Sequence, residues 1–140
     1  MAISVITDEG KLNLLNCAFG EGEPFAYMAA GTGLTPPTSA SIALNNECGP
    51  ANGDYVRAPL TNELNSEEFY IVSQATFDTT NITVETEISE IGIVNSVIPG
   101  EGTFWCICEV DPLVIKDGTQ EVQFTIYSTL LECCPAEWGD

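Results

Sequence analysis

Gln120-Glu121-Val122-Gln123-Phe124-Thr125-Ile126-Tyr127-Ser128-Thr129-Leu130-Leu131 sets Val122, Phe124, Ile126, Ser128 and Leu130 against Glu121, Gln123, Thr125, Tyr127 and Thr129. Successive side chains of a strand point to opposite faces, so a period of two over this length predicts a half-buried strand. Two further runs lie upstream. One is Gly102-Thr103-Phe104-Trp105-Cys106-Ile107-Cys108-Glu109-Val110, and the other is Thr83-Val84-Glu85-Thr86-Glu87-Ile88-Ser89-Glu90-Ile91-Gly92-Ile93. Gly, Pro and Asp-Gly signals separate the three, which together predict an antiparallel sheet. In the earlier run Ile82, Val84, Thr86 and Ile88 share a face, and Ile91 and Ile93 continue it one residue out of phase. That shift predicts a β-bulge beside Gly92. The glutamates of residues 83–131 read as the solvated face of this sheet. Asp111-Pro112 is expected to break the middle run, Lys116-Asp117-Gly118 to form a turn, and residues 133–140 to form a short acidic tail.

Toward the N-terminus the signals change. Thr7 is a good helix cap, and Asp8 and Glu9 place negative charge on the first turn, where the helix dipole favours it. Leu12, Leu15 and Phe19, with Leu14 and Ala18 beside them, predict an amphipathic helix over residues 8–18, ended by Gly20 and covering one face or end of the sheet, with partner binding as the alternative use of the stripe. Residues 25–30 are a strand candidate closed by Gly31-Thr32-Gly33. This Gly-Thr-Gly is not a phosphate loop, because no Gly-Lys-Ser/Thr ending supplies the lysine and the metal-binding hydroxyl. Pro36-Pro37 enforces extended backbone, and Thr38 or Ser39 is placed to cap one helical turn reaching Leu44. Residues 45–54 read as loop, 55–58 as a short strand put at a sheet edge by Pro59, 62–68 as a polar loop, and 69–77 as a strand.

Composition narrows the function. A chain of 140 residues forms one domain, spanning residues 1–140. Its charge is lopsided: 21 acidic residues against three basic ones (Lys11, Arg57, Lys116), no histidine, and a net charge of −18. Such a chain repels nucleic-acid phosphates and anionic lipid headgroups, so neither nucleic acid nor a membrane surface is an expected partner. A specific partner is expected to be basic or apolar. No run approaches the roughly 18–20 apolar residues that a membrane span requires. The N-terminal Met1-Ala2-Ile3-Ser4-Val5-Ile6-Thr7 has neither the basic nor the apolar region of a signal peptide, and synthesis in a cytoplasm is expected.

The six cysteines, Cys17, Cys48, Cys106, Cys108, Cys133 and Cys134, are then unexpected, because cytosolic disulfides are rare. Zinc is disfavoured: structural sites space their paired ligands about two to four residues apart, unlike Cys106-x-Cys108 or the adjacent Cys133-Cys134. On a strand Cys106 and Cys108 point the same way at about 7 Å, beyond comfortable disulfide reach. Bridges from either one to Cys133, Cys134 or Cys48 remain open, as do buried reduced thiols.

Without histidine there is no conventional catalytic triad, Cys–His pair or His-ligated metal. The carboxylate pairs Glu67/Glu68, Glu85/Glu87 and Glu109/Asp111 are what a strongly acidic chain produces by chance on solvated faces. Glu85 and Glu87 share a face of a strand at about 7 Å, within the range that inverting glycosidases use. Calcium finds no EF-hand spacing, and no catalytic residue, cofactor or metal is expected. Asn81-Ile82-Thr83 matches the glycosylation sequon but is expected to be idle. A carbohydrate-binding module is weakened by having only Trp105 and Trp138 to offer as stacking platforms.

The order of motifs carries a resemblance. Ile6-Thr7-Asp8-Glu9-Gly10 leads into the Leu-rich helix. Tyr27 to Gly31-Thr32-Gly33 follows, then Thr35-Pro36-Pro37 with Ala43-Leu44-Asn45. Glu87-Ile88-Ser89-Glu90-Ile91-Gly92-Ile93 comes next, and Ile115-Lys116-Asp117-Gly118 precedes the alternating strand. Nearly the whole chain thus resembles small phage virion structural proteins described as capsid decoration (cement) or tail-fibre-like proteins. The resemblance implies a mainly β fold, an antiparallel β-sandwich with one short N-terminal α-helix. It also implies no enzymatic activity and assembly into homotrimers. The chain departs from the pattern in its cysteine content and its long loop over residues 45–53. Because a packaged genome is a dense polyanion, so acidic a chain belongs outside the shell or on the tail. The expected role is an exterior capsid cement protein bound to the major capsid protein, and the alternative is a tail-fibre or baseplate-associated structural protein. Disulfides would form once lysis releases the particles into an oxidising medium.

Overall fold

In the computed structural model, which describes residues 3–53, 55–129 and 133–135, two antiparallel sheets face each other across one core. The first sheet orders its strands β1 (Ser4–Ile6), β7 (Phe104–Lys116), β6 (Thr86–Val94), β2 (Tyr27–Gly31) and β3 (Ala58–Pro59). The second orders β4 (Thr61–Asn65), β5 (Tyr70–Phe77), β8 (Val122–Ser128) and β9 (Cys133–Pro135). The one α-helix among the described residues, α1 (Asp8–Phe19), follows β1. The expected mainly β sandwich with a short N-terminal helix is therefore what the chain forms.

The alternation of β8 works as read: Phe124, Ile126 and Ser128 are buried, and Gln123 and Tyr127 are exposed. Phe124 meets Phe77 of β5 edge-on, with ring centroids 6.0 Å apart. With Ala75 and Ile126 they pack against Met28, Ala30, Ile91, Ile93, Cys106 and Cys108 of the first sheet. The three runs do not share one sheet, however. β6 pairs with β7, whereas β8 crosses to the second sheet, between β5 and β9.

Several other expectations are corrected. Residues 62–68 contain a strand: β4 pairs with β5 from Thr61↔Gln74 to Asn65↔Tyr70. As an edge strand exposed on both faces, it carries no alternation to betray it. The supposed tail contains β9, paired with β8 through Ser128↔Cys133; Leu130, Leu131 and Trp138 lie outside the described residues. The strand expected over 55–58 contracts to β3, whose Pro59 does stand at a sheet edge. No helix forms between Thr38 and Leu44. A turn closed by Ser41 N–H donating to Thr38 O takes its place. An irregularity does lie next to Gly92, where the pairing shifts between Ile93↔Cys106 and Val94↔Phe104, but a larger one lies at Ser89, where it jumps from Ile88↔Val114 to Glu90↔Glu109. On β7 that jump loops out the cis Asp111-Pro112 peptide and Leu113, so Asp111-Pro112 interrupts pairing with β6 without ending the strand.

The reading of the glutamates as a uniformly solvated face also fails at one position. Glu85 and Glu87 are exposed, but Glu90 is buried. The outer side of the first sheet is itself covered: Ala29, Val94, Phe104 and Ile107 form a second cluster with Leu44 from the loop after β2. Glu90 fastens that loop, accepting N–H bonds from Gly33 (2.8 Å), Asn45 (2.7 Å) and Asn46 (2.8 Å). Ser89 Oγ donates to Gly33 O at 2.6 Å. A sheet buried on both faces has no reason to alternate, which is why residues 88–94 of β6 are all buried.

Candidate interaction surface

Helix α1 begins as expected: Thr7 Oγ1 accepts the Gly10 N–H at 2.9 Å. The Thr7 hydroxyl also donates to Phe104 O, and its N–H donates to Trp105 O at 3.0 Å, so the cap ties the helix to β7. The stripe expected to cover the sheet does not do so. Leu12 is 63%, Leu15 56% and Phe19 88% exposed. Gly10 is the residue that docks the helix. A Cβ there would stand 2.6 Å from Phe104 O and 2.7 Å from Trp105 Cα, so backbone meets backbone at the N-terminal end. The leucines face outward, apart from Leu14, which is half-buried against the core.

Beside Leu14 the helix and the second sheet part to form a cleft of about 410 Å³. Its walls are Leu14 and Cys17 of α1, Pro24 and Phe25, Leu64 of β4, Phe69 and Ile71, with Ile93 and Trp105 also lining it. Phe25 and Trp105 contact each other, centroids 5.8 Å apart, and Trp105 Nε1 donates to Ser128 Oγ at 3.3 Å, which fixes the indole. The β4–β5 turn is held by Asn65, whose Oδ1 accepts the N–H groups of Glu67 (3.1 Å) and Glu68 (2.9 Å). At its end Phe69 takes φ +58°, a left-handed conformation that costs a bulky residue about 1–2 kcal/mol, yet its ring is 79% exposed.

The electrostatics are more one-sided than the composition announces. Arg57 and Lys116 are buried, at 2% and 0% exposure. Arg57 Nε and Nη2 grip Glu47 Oε2 and Oε1, both at 2.8 Å, and Nη1 donates to Ser96 O (2.8 Å) and Glu101 O (2.7 Å). Tyr55 Oη donates to Glu47 Oε2 at 2.6 Å. Burial opposes the charge on Glu47, but the bonds from Arg57, Tyr55 and Gly100 N–H prevail and hold its pKa below the ordinary value. Lys116 Nζ donates to Ile82 O at 3.0 Å and also to Asp117 O, and burial lowers its pKa against the pull of Asp117, Asp78 and Glu121. Only Lys11 remains as an exposed basic side chain.

The residues singled out in the sequence are scattered. Cys106 and Cys108 are buried in the inter-sheet core with Cys48. Cys48 is pushed up to about 12 by burial and by the nearby Glu47 and Glu90 carboxylates. Cys17 is exposed, with its thiol 3.4 Å from Glu23 O. No disulfide forms between any two of Cys17, Cys48, Cys106 and Cys108; the side chains of Cys133 and Cys134 lie outside the described ones. No group of three or more Cys, Asp or Glu able to hold a metal ion occurs among the described residues. Glu85 and Glu87 are exposed and line a shallow depression with Leu34 and Leu113. Glu109 accepts the Ile3 N–H at 2.9 Å, and Glu67 and Glu68 stand on the β4–β5 turn. Asn81 is buried, its amide donating to Val56 O and accepting from Asp78 N–H, so the sequon is engaged in the fold. No described helix is long and apolar enough to cross a membrane. Comparison with models of known families, with curated proteins and with solved structures finds no match.

Proposed function

We propose that this chain is a non-enzymatic structural protein of a phage particle, an exterior capsid cement protein that clamps neighbouring subunits of the major capsid protein. One observation carries the reading: large apolar side chains stand exposed at a cleft (Leu64, Phe69) and on the outward face of α1 (Leu12, Leu15, Phe19), on a surface that displays a single basic residue. Scattered exposed hydrophobics are ordinary, but a group of them beside a cleft marks an interaction surface. An anionic exterior is compatible with the outside of a shell and incompatible with contact to packaged nucleic acid. The solvated Glu85 and Glu87 suit a surface role better than acid–base chemistry, which calls for carboxylates in contrasting environments. The trimer implied by the resemblance would use a second apolar group, Leu34, Leu113 and Ile115, toward the opposite end of β7 from α1.

Particles assembled with and without the protein, compared for survival of heating and osmotic shock, test this proposal. Loss of shell stability on omission, restored by adding the purified chain to mature capsids, is the expected result. Equal stability of both preparations would remove the cement role. Immunogold signal confined to the tail would transfer the protein to the tail-fibre or baseplate alternative.

A further inference from the structure

We propose that the cleft between α1 and the β4–β5 hairpin binds an extended segment of a partner protein in which apolar side chains are flanked by lysine or arginine. The inference deepens the cement reading by assigning it a docking surface and a partner chemistry, and it rests on that reading only for the partner's being a capsid subunit.

Three features converge on this cleft. Its floor is apolar and rigid, because Trp105 is held by Ser128 and packed on Phe25. Exposed carboxylates adjoin it in the chain on both sides: Glu21 and Glu23 precede the lining residue Pro24, and Glu67 and Glu68 precede the lining residue Phe69. No basic side chain lines it. Phe69 is the third feature. A left-handed phenylalanine pointing into solvent is a strained way to build a turn, and glycine or asparagine would hold the same backbone more cheaply. The ring gains its compensation when a partner covers it. Charge then selects the occupant. A second copy of the chain would present another anionic surface to the same rim and be repelled, whereas a basic–apolar segment is attracted at the rim and desolvated on the floor. The open edge of β4 lies beside the cleft and offers unpaired backbone groups to an extended segment.

Isothermal titration of the full chain with three synthetic peptides tests this: Arg-Lys-Leu-Trp-Leu-Lys-Arg, its Glu/Asp-flanked counterpart, and Arg-Lys-Gly-Ser-Gly-Lys-Arg. The first is expected to bind at least about tenfold more tightly than either of the others, with affinity falling as salt rises. Leu64→Ser and Phe69→Gly should each weaken it about tenfold, as truncation of a central apolar anchor does. Phe69→Gly should do so without lowering thermal stability, which separates loss of contact from loss of fold. Peptide-mapped alkylation of Cys17 should slow when the first peptide is bound.

Equal binding of the first and third peptides, or affinity unchanged in both variants, would show only diffuse attraction to an acidic surface and overturn the proposal. Sedimentation showing an oligomer that Phe69→Gly dissociates, with no peptide bound, would assign the cleft to a second copy and overturn it as well. If both variants still bind and stabilise capsids, the cement reading stands and the cleft assignment fails. If the peptide results hold and the purified chain binds no capsid, the cleft stands and the cement reading fails.

Discussion

Replacing Arg57 by alanine should be among the most damaging single changes available to this protein. Arg57 is 2% exposed and makes four hydrogen bonds, two to Glu47 and two to the carbonyls of Ser96 and Glu101 in the β6–β7 loop. Its guanidinium also lies 5.6 Å from the centroid of Phe104. Truncation removes the charged partner of a partly buried carboxylate, which keeps only the Tyr55 hydroxyl and the Gly100 N–H, and takes the Arg57 donor from the Ser96 and Glu101 carbonyls. Breaking one side of a buried ion pair costs about 3–5 kcal/mol, a large share of the roughly 5–15 kcal/mol that stabilises a domain. Urea titration followed by far-ultraviolet circular dichroism reads this as a lowered midpoint at unchanged slope. The pH dependence gives a second, independent readout. In the wild type Glu47 has a depressed pKa, so its contribution is complete above the ordinary carboxylate value and is lost as pH falls through the folded-state value. In Arg57→Ala only the bonds from Tyr55 and Gly100 still oppose burial, so the Glu47 pKa rises from its wild-type position and protonation costs the variant less than the wild type. The deficit should therefore narrow on acidification. A loss below about 1 kcal/mol, the usual worth of an exposed pair, would refute the claim that this network is buried and clamps the loop. So would a deficit that widens toward acid. Replacing Glu47 and Arg57 together by leucine and methionine should cost less than Arg57→Ala alone, because no charge is then stranded.

Three further outcomes follow from the same geometry. Gly10→Ala, which in an exposed helix would stabilise by about 1 kcal/mol, should here destabilise by about 1–3 kcal/mol, because its methyl meets the β7 backbone; thermal denaturation gives the sign. Glu90→Ala strands the N–H groups of Gly33, Asn45 and Asn46 and should cost roughly 3–6 kcal/mol. Hydrogen exchange should locate the loosened segment between residues 32 and 46, and unchanged protection there would contradict the anchoring role. Alkylation at pH 8 of the native protein, mapped by peptide, should modify Cys17 rapidly and leave Cys48 untouched, since Cys48 is buried with its pKa pushed up to about 12; comparable rates at both would be inconsistent with the core position of Cys48.

What could be read from the sequence follows from which residues face two environments at once. β8 lies with one face in the core and one toward water, so its alternation survives, and the strand falls inside the run from Gln120 that predicts it. β4 faces water on both sides and residues 88–94 of β6 face protein on both sides, so neither alternates. Their patterns therefore predict a loop for the first and a solvated Glu90 in the second, and the structure has neither. α1 misled for a different reason: its apolar stripe is real, but Gly10, the residue with no side chain to count, decides which face docks. The cleft could not be found locally, since its walls come from residues 14–25, 62–73, 93, 105 and 128. One signal for its chemistry was nevertheless present in the sequence. In a chain with 21 carboxylates and three cations, a lysine or arginine does little for solubility, because the surface is already strongly charged. A cation kept in such a chain has more to offer where a buried carboxylate or carbonyl needs a donor. Arg57, set between Val56 and Ala58, and Lys116, closing an apolar strand, both sit in such places. Reading them as interior residues would have left the exterior almost wholly anionic, and with it the expectation that whatever covers the exposed apolar side chains brings the positive charge.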